Sequence, residues 1–184
     1  MRNLVFLSLF LLLLTGCNSD KVSNSHSMPN GSKMGDANHE MVKITSQEQF
    51  LNEMIPHHQE AIDTSELLLK TTSNTDLKIF IVSVIDVQTK EIVAMKTLLK
   101  DLYGKDYLES TVYMPMMGDL TVLDGVMQEM AYINGMLVHH QGAITMAQQV
   151  LGLADLKPGI AAMAKNIIEV QTKEITVLED LYKA

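Results

Sequence analysis

The chain has a single cysteine, Cys17, and no tryptophan among its 184 residues. One cysteine excludes a disulfide within the chain, so stability and any metal site must be built without paired thiols. The sequence also has no basic runs. Its 14 Lys and Arg residues are outnumbered by 22 Asp and Glu residues, which gives a formal net charge of −8. An acidic chain repels phosphate backbones, and we therefore predict no nucleic-acid partner.

A hydrophobic run near the start indicates export. Arg2 precedes an apolar stretch over residues 4–14, which is too short to span a bilayer, since that requires about 20 residues. Thr15, Gly16 and Cys17 follow this stretch and resemble a bacterial lipobox. We expect residues 1–16 to be a lipoprotein signal peptide and Cys17 to carry the lipid, which places the protein on the cell envelope, in the periplasm or on the outer face of the membrane. An ordinary signal peptide with an incidental cysteine is the alternative.

Residues 17–44 are rich in Ser, Asn, Gly and Asp and show no apolar period, as is typical of a flexible tether. Two interpretations remain open, an incidental linker and a loose metal-collecting tail. Both concern the same five side chains, namely His26, Met28, Met34, His39 and Met41.

An internal duplication organises the rest of the chain. Residues 54–62 recur 82 positions later at 136–144, and residues 87–92 recur at 170–175. The matching blocks predict two equivalent units, repeat 1 at about 45–102 and repeat 2 at about 121–184, joined by a crossover at about 103–120.

Each unit reads as two helices, which predicts an all-α bundle of two helical hairpins. The first helix runs from Ser46 to about Thr72 and the second from about 75 to 102. The third runs from about Thr121 to 151 and the fourth from Pro158 to near 183. Pro56 inside the first helix predicts a kink or local disturbance. A crossover of 17 residues reaches about 55 Å, enough to run the length of a bundle of helices about 38 Å long.

Helical spacing places polar side chains on the faces that must pack inward. In the first and third helices these are adjacent histidines, and in the second and fourth a Gln and a Glu interrupt the apolar stripe. The pattern predicts a central polar layer flanked by methionines. Its members are His57, His58, His139, His140, Gln88, Gln171, Glu91 and Glu174, with Met54, Met95, Met136 and Met146 beside them.

Imidazole and thioether ligands favour copper, as Cu(I) or Cu(II). We predict the four histidines as principal ligands, the four flanking methionines as soft ligands, Glu91 and Glu174 as ligands or their supports, and Gln88 and Gln171 as supports. Iron and zinc rank lower. No helix has the Glu-x-x-His pattern of di-iron bundles, since Glu53 stands four residues before His57 and Gly135 takes its place in repeat 2. Zinc does not account for the methionines. A purely structural His–Glu network is the other interpretation.

A second group of methionines spans the crossover and the start of the third helix. It predicts either a weaker second copper-binding region or a hydrophobic flap, and its last two members share a helix face and could belong to the core. The group comprises Met114, Met116, Met117, Met127 and Met130.

The doubled Met-x-x-His-His motif, followed in each repeat by Gln-x-x-Glu, resembles the CopM-like family, long carried as a domain of unknown function. The resemblance implies a ferritin-like four-helix bundle in the bacterial envelope. It also implies copper or silver binding by Met and His and a part in copper tolerance, without established catalysis. Two positions depart from the pattern, because Thr64 replaces the methionine found as Met146, and Leu178 replaces the one found as Met95.

We therefore expect a binding protein that sequesters copper or transfers it, with the metal ion and the membrane as partners and no catalytic residue. The competing hypotheses are a ferritin-like metal-dependent oxidase and an interaction bundle whose polar layer is structural. Oxygen consumption with Fe(II) or Cu(I) would identify the oxidase.

Overall fold

The computed structural model describes residues 42–109 and 113–183, and these ranges contain four helices and no β-strand. The helices are α1 (Gln47–Leu69), α2 (Thr75–Tyr103), α3 (Gly125–Leu151) and α4 (Pro158–Lys183), with a short 3-10 turn at Leu120–Val122. The predicted all-α class is confirmed. The predicted signal peptide, the lipidation site Cys17 and the five tether side chains all lie outside the described residues.

Local capping explains where the helices begin. The hydroxyl of Ser46 accepts from the backbone N–H of Gln49 at 3.1 Å, as the sequence pattern predicts. The Gln49 side chain does not accept from the N–H of Ser46, as it would in a capping box, because its Oε1 accepts from the N–H of Thr45 instead. Asn74 caps α2 in the same way through Leu77, and Gly104 ends that helix in the left-handed conformation that glycine adopts freely.

Two helix ends differ from the predicted positions, and α1 continues through its proline. α1 ends at Leu69 instead of about Thr72, whose hydroxyl accepts from the N–H of Asn74 in the turn to α2. α3 begins at Gly125 because the preceding residues form the separate 3-10 turn, with Asp119 accepting from Thr121. Pro56 lies inside α1, and the helix does not break there.

The packing of the apolar side chains gives the direction of each helix. A first apolar cluster joins the beginnings of α1 and α4 to the ends of α2 and α3. It includes Phe50, Leu51, Met54, Met95, Leu99, Met146, Val150, Ile160 and Ile167. A second apolar cluster joins the opposite halves, through Ala61, Leu68, Leu77, Val84, Tyr132, Met136 and Leu178. α1 and α4 therefore run one way and α2 and α3 the other.

This topology requires the long crossover. α2 ends beside the first cluster and α3 begins beside the second, so the connection between them runs from one end of the bundle to the other. A crossover of this kind distinguishes ferritin-like bundles from simple up-and-down bundles, and the predicted architecture is confirmed. Among the described helices, none combines the length and the apolar character needed to cross a membrane.

Candidate metal centre

A polar layer separates the two apolar clusters at the middle of all four helices. The four histidines at positions 57, 58, 139 and 140 are buried, as are Gln88, Glu91, Gln171 and Glu174. Each of these residues lies between a member of the first cluster and a member of the second along its own helix. Helical spacing in the sequence therefore located the layer correctly.

The two repeats meet at a pair of stacked imidazoles. The ring centroids of His57 and His139 are 3.6 Å apart, and their planes are inclined by 34°. Each ring lies farther from its own sequence neighbour, 6.2 Å from His57 to His58 and 6.3 Å from His139 to His140. Since His57 and His139 are equivalent positions of the duplication, the stack marks a pseudo-two-fold axis between α1 and α3.

The outer two histidines each face the carboxylate of their own repeat. His58 Nε2 donates to Glu91 Oε2 at 2.8 Å, and the other oxygen of Glu91 accepts from the Asn166 amide at 2.8 Å. His140 Nε2 lies 3.0 Å from Glu174 Oε2, although the pair does not have hydrogen-bond geometry. The two His–Glu pairs are therefore equivalent in position and unequal in bonding.

Glu60 is a further member of the layer that the sequence analysis did not identify. Its Oε2 lies 3.5 Å from His139 Nε2 and accepts from the Tyr113 hydroxyl at 2.5 Å. Its Oε1 accepts from two backbone N–H groups of the crossover, those of Met116 and Met117. The sequence feature that could have identified Glu60 is its position one helical turn after His57. Because Gly142 occupies the equivalent position in repeat 2, a search for residues shared by the two repeats does not find Glu60.

Burial and neighbouring groups shift the pKa values of three histidines of the layer and of Glu60. Burial lowers the pKa of His57 well below the usual value, and the neighbouring His139, His58 and His140 lower it further. Burial also lowers the pKa of His139 and His140, although Glu60 and Glu174 respectively oppose the shift. For Glu60, burial raises the pKa, but the interactions with His139, Tyr113 and Met117 outweigh that effect and lower it. Neutral imidazoles beside ionised carboxylates are the protonation states that bind metal ions.

Many polar atoms of the layer have no hydrogen-bond partner in the described structure. Both ring nitrogens of His57, His139 and His140 are buried without one, as are Nδ1 of His58 and the whole side-chain amides of Gln88 and Gln171. An unpaired buried polar group costs about 1–3 kcal/mol, so a purely structural network would leave a large cost uncompensated. The donor set therefore fits a metal ion that accepts nitrogen ligands.

The four flanking methionines are not distributed evenly about the layer. Met54, Met95 and Met146 belong to the first cluster, whereas Met136 belongs to the second. Thr64 and Leu178, which replace methionine in the repeat pattern, both belong to the half of the bundle that holds the second cluster. The pseudo-two-fold axis relates the first-cluster end of one repeat to the second-cluster end of the other. The missing methionines of the two repeats, at Thr64 and Leu178, therefore both lie on the second-cluster side of the layer. The first-cluster side of the layer is thus rich in thioethers.

The second group of methionines is split by the fold. Met117 is buried in the second cluster, Met116 is half-buried, and Met114 is 68 % exposed. Met127 is 45 % exposed at the start of α3, so it is not a core residue. Met130 is half-buried one turn later.

In residues 42–109 and 113–183, no three His, Asp or Glu side chains form a ready-made set of ligands for one ion. Two of these side chains, the imidazoles of His57 and His139, instead stack on each other at 3.6 Å between ring centroids with an inclination of 34°. A bound ion would therefore need a thioether among its ligands or a rotation of the rings.

The lowered histidine pKa values predict a pH dependence of the metal-free protein. Unfolded histidine binds a proton near pH 6.5, whereas His57, His139 and His140 resist protonation in the fold. The contribution of these neutral histidines to the free energy of unfolding is therefore fully present above about pH 6.5 and is lost progressively as the pH falls below it. Urea unfolding at pH 7.5 and 5.5 measures this, and His57→Leu should show the shallower dependence. Equal stability at both pH values would contradict the expectation.

Comparisons with known proteins place this fold. The family model described as "Domain of unknown function (DUF305)" matches residues 17–99 and again residues 47–182. CopM in its Cu(I)-bound form is 28 % identical over 75 % of this chain and 96 % of that chain, with a TM-score of 0.67. CopM in a silver-bound form is 26 % identical over 77 % and 97 % of the respective chains, with a TM-score of 0.65.

A DUF305 fragment from Deinococcus radiodurans has the same fold, at 23 % identity over 77 % of this chain and 97 % of that chain, with a TM-score of 0.66. No curated protein matches the chain. The family match extends over the helices and both copies of the histidine motif. The chain belongs to the DUF305 family and has the CopM-like fold.

Proposed function

We propose that the protein binds copper ions, as Cu(I) and Cu(II), and also silver, in the buried layer of four histidines. The observation that carries this proposal is the set of imidazole nitrogens at positions 57, 58, 139 and 140 that are buried without hydrogen-bond partners. A metal ion accepts those lone pairs and removes the cost of leaving them unpaired. Burial lowers the pKa of His57, and a neutral imidazole keeps the lone pair of one ring nitrogen free to bind a metal ion.

The ligand set that we propose combines both kinds of donor. His57 and His139 supply nitrogen at the centre, and His58 and His140 supply it on either side. Met54, Met95 and Met146 supply sulfur from the first-cluster side of the layer, and Met136 supplies it from the second-cluster side. Because thioethers prefer soft ions, Cu(I) and Ag(I) bind preferentially on the first-cluster side. Glu91 and Glu174 orient His58 and His140, and Gln88 and Gln171 offer amide groups to the same layer.

Relatives support copper over iron and zinc. Solved structures of CopM, 26–28 % identical to this chain, hold Cu(I), Cu(II) or silver. The layer has three carboxylates, Glu60, Glu91 and Glu174, whereas a di-iron bundle uses four together with two histidines. The buried thioethers also favour a soft ion.

We place this binding at the cell envelope, where lipidation of Cys17 would hold the bundle on a membrane and residues 18–44 would act as its tether. A protein in this position removes copper from the envelope or passes it on, which is a contribution to copper tolerance. The acidic net charge of −8 attracts cations toward the bundle.

A structural role for the layer is the second candidate, and the His58–Glu91 hydrogen bond at 2.8 Å favours it. A His–Glu network of this kind fixes the register of packed helices without any metal. Among the described residues, His139 and His140 also contact carboxylates, at 3.5 and 3.0 Å, but their ring nitrogens and those of His57 have no hydrogen-bond partner, so such a network leaves most of the imidazole nitrogens unpaired.

Thermal unfolding with and without metal tests the proposed function. At a free copper concentration 100 times Kd, binding stabilises the fold by about 2.7 kcal/mol, which raises Tm by about 5–10 °C for a protein of this size. The full chain should show this rise with Cu(I), Cu(II) and Ag(I), and a smaller one with Zn(II). No rise with any of the copper or silver ions would leave the structural role as the better account.

A further inference from the structure

We infer that Glu60 and the crossover methionines form a port through which soft metal ions reach the buried layer at His139. This inference rests on the proposed function, because a port requires a site behind it. It concerns the crossover segment Tyr113 to Met117 and the carboxylate that binds it, which together we call the methionine port.

The port is fixed to the layer by one carboxylate. Glu60 Oε1 accepts from the N–H of Met116 at 2.6 Å and from that of Met117 at 2.7 Å. Glu60 Oε2 accepts from the Tyr113 hydroxyl and lies 3.5 Å from His139 Nε2. Burial raises the pKa of Tyr113, so its hydroxyl keeps the proton that it donates. The Glu60 side chain thus links the crossover backbone to the imidazole of His139 in the layer.

The methionines of the port lead from solvent to that carboxylate. Met114 is 68 % exposed, Met116 is half-buried, and Met117 is 4 % exposed. The sulfur of Met117 packs against α3 at Gly135, where a Cβ would lie 3.2 Å from it. Gly135 is one helical turn before His139, so the last thioether of the series and the imidazole lie on neighbouring turns of α3.

The other edges of the layer are built differently. The side chains of Glu91 and Glu174 also reach the surface, at 7 % and 11 % exposure. Glu91, however, accepts from the Asn166 amide, and the position equivalent to Glu60 in repeat 2 is Gly142, which has no side chain. Two carboxylate edges, at Glu91 and Glu174, therefore come from the duplication, whereas the third, at Glu60, is particular to repeat 1 and binds a methionine-rich segment.

The chemistry of this series selects the ion. Thioethers bind Cu(I) and Ag(I) in preference to hard cations, and the Met116 and Met117 N–H groups hold the acidic side chain of Glu60 at the edge of the layer, 3.5 Å from His139. An ion can be passed along the series from the exposed Met114 through Met116 and Met117 to His139 by exchange of ligands, with no change of oxidation state. The port thus supplies monovalent soft ions in particular.

Uptake kinetics separate the port from the buried site. In a stopped-flow experiment the full chain takes Cu(I) from a coloured chelator, and the loss of colour reports the rate and the end point. Met114→Leu combined with Met116→Leu should slow uptake by about tenfold or more and leave the end point unchanged. Met163→Leu makes the same chemical change on α4, outside both groups of candidate methionine ligands, and should leave the rate unchanged.

A second variant tests the carboxylate. Glu60→Gln keeps an oxygen that accepts from the two backbone N–H groups and removes the negative charge. It should slow uptake of Cu(I) while Tm of the metal-free protein stays close to that of the original chain.

Two results would overturn the port. One is an unchanged rate in the Met114 and Met116 double variant, or equal slowing in its control. The other is a lowered end point without slower uptake, which would make these methionines part of the equilibrium site. Failure of the original chain to take Cu(I) at all would instead refute the proposed function, and the port with it.

Discussion

Replacing His57 and His139 together by alanine should abolish tight copper binding and leave a helical protein. These two rings stack at the pseudo-two-fold axis, and all four of their nitrogens are buried without hydrogen-bond partners. Loss of a residue that merely supports a ligand costs about 10–100-fold in metal affinity, so loss of two central ligands should cost at least about 1,000-fold. Competition against a copper chelator measures the affinity, and circular dichroism measures the helix content.

The matched control uses the two histidines of the chain that lie outside the layer. His26→Ala combined with His39→Ala removes the same number of imidazoles from the predicted tether. It should leave the high-affinity site intact and lower at most the number of weakly bound ions. Unchanged affinity in the His57 and His139 variant, or an equal loss in the control, would refute a site in the layer.

Replacing the three first-cluster methionines by leucine should weaken Cu(I) and Ag(I) binding by about 100-fold and Cu(II) binding much less. Met54, Met95 and Met146 are 0 %, 0 % and 4 % exposed and lie on one side of the layer. Leucine nearly conserves their volume, and each exchange of this type usually costs less than about 1.5 kcal/mol of stability. Equilibrium titration with each ion measures the difference.

Met136→Leu provides the comparison from the opposite side. Met136 is also fully buried and stands one turn before its histidine pair, as Met54 does in repeat 1. Its replacement should weaken Cu(I) binding by less than the first-cluster variant does. A larger effect from Met136 alone would show that the sulfur ligands lie on the second-cluster side, contrary to the asymmetry proposed above.

Helical periodicity predicted the architecture and most of the layer because the relevant information is local. His57, His58, His139 and His140 fall on the apolar faces of their helices, and burial follows from that spacing. The length of the crossover also predicted a connection along the bundle. These features need no knowledge of which helix packs on which.

The features that the sequence did not predict depend on contacts between distant segments. Glu60 joins the layer through a crossover more than 50 residues away in sequence. The thioether-rich side of the layer follows from the antiparallel packing of α1 and α3, which brings the losses at Thr64 and Leu178 to one end. The late start of α3 reflects a turn capped by Asp119 that competes with the helix.

The duplication therefore supplies a symmetric frame on which single substitutions build an asymmetric site. The frame consists of the stacked pair His57 and His139 and the two outer His–Glu pairs. Glu60 opposite Gly142, and Met95 opposite Leu178, make the two halves unequal.

X-ray absorption at the copper edge of the Cu(I)-loaded chain tests the central claim most directly. The proposed site predicts imidazole nitrogen and thioether sulfur bound to the same copper ion, and loss of the imidazole signal in the His57 and His139 variant. A spectrum with oxygen ligands alone, or one that is unchanged in that variant, would contradict the proposal that the buried histidine layer binds the metal.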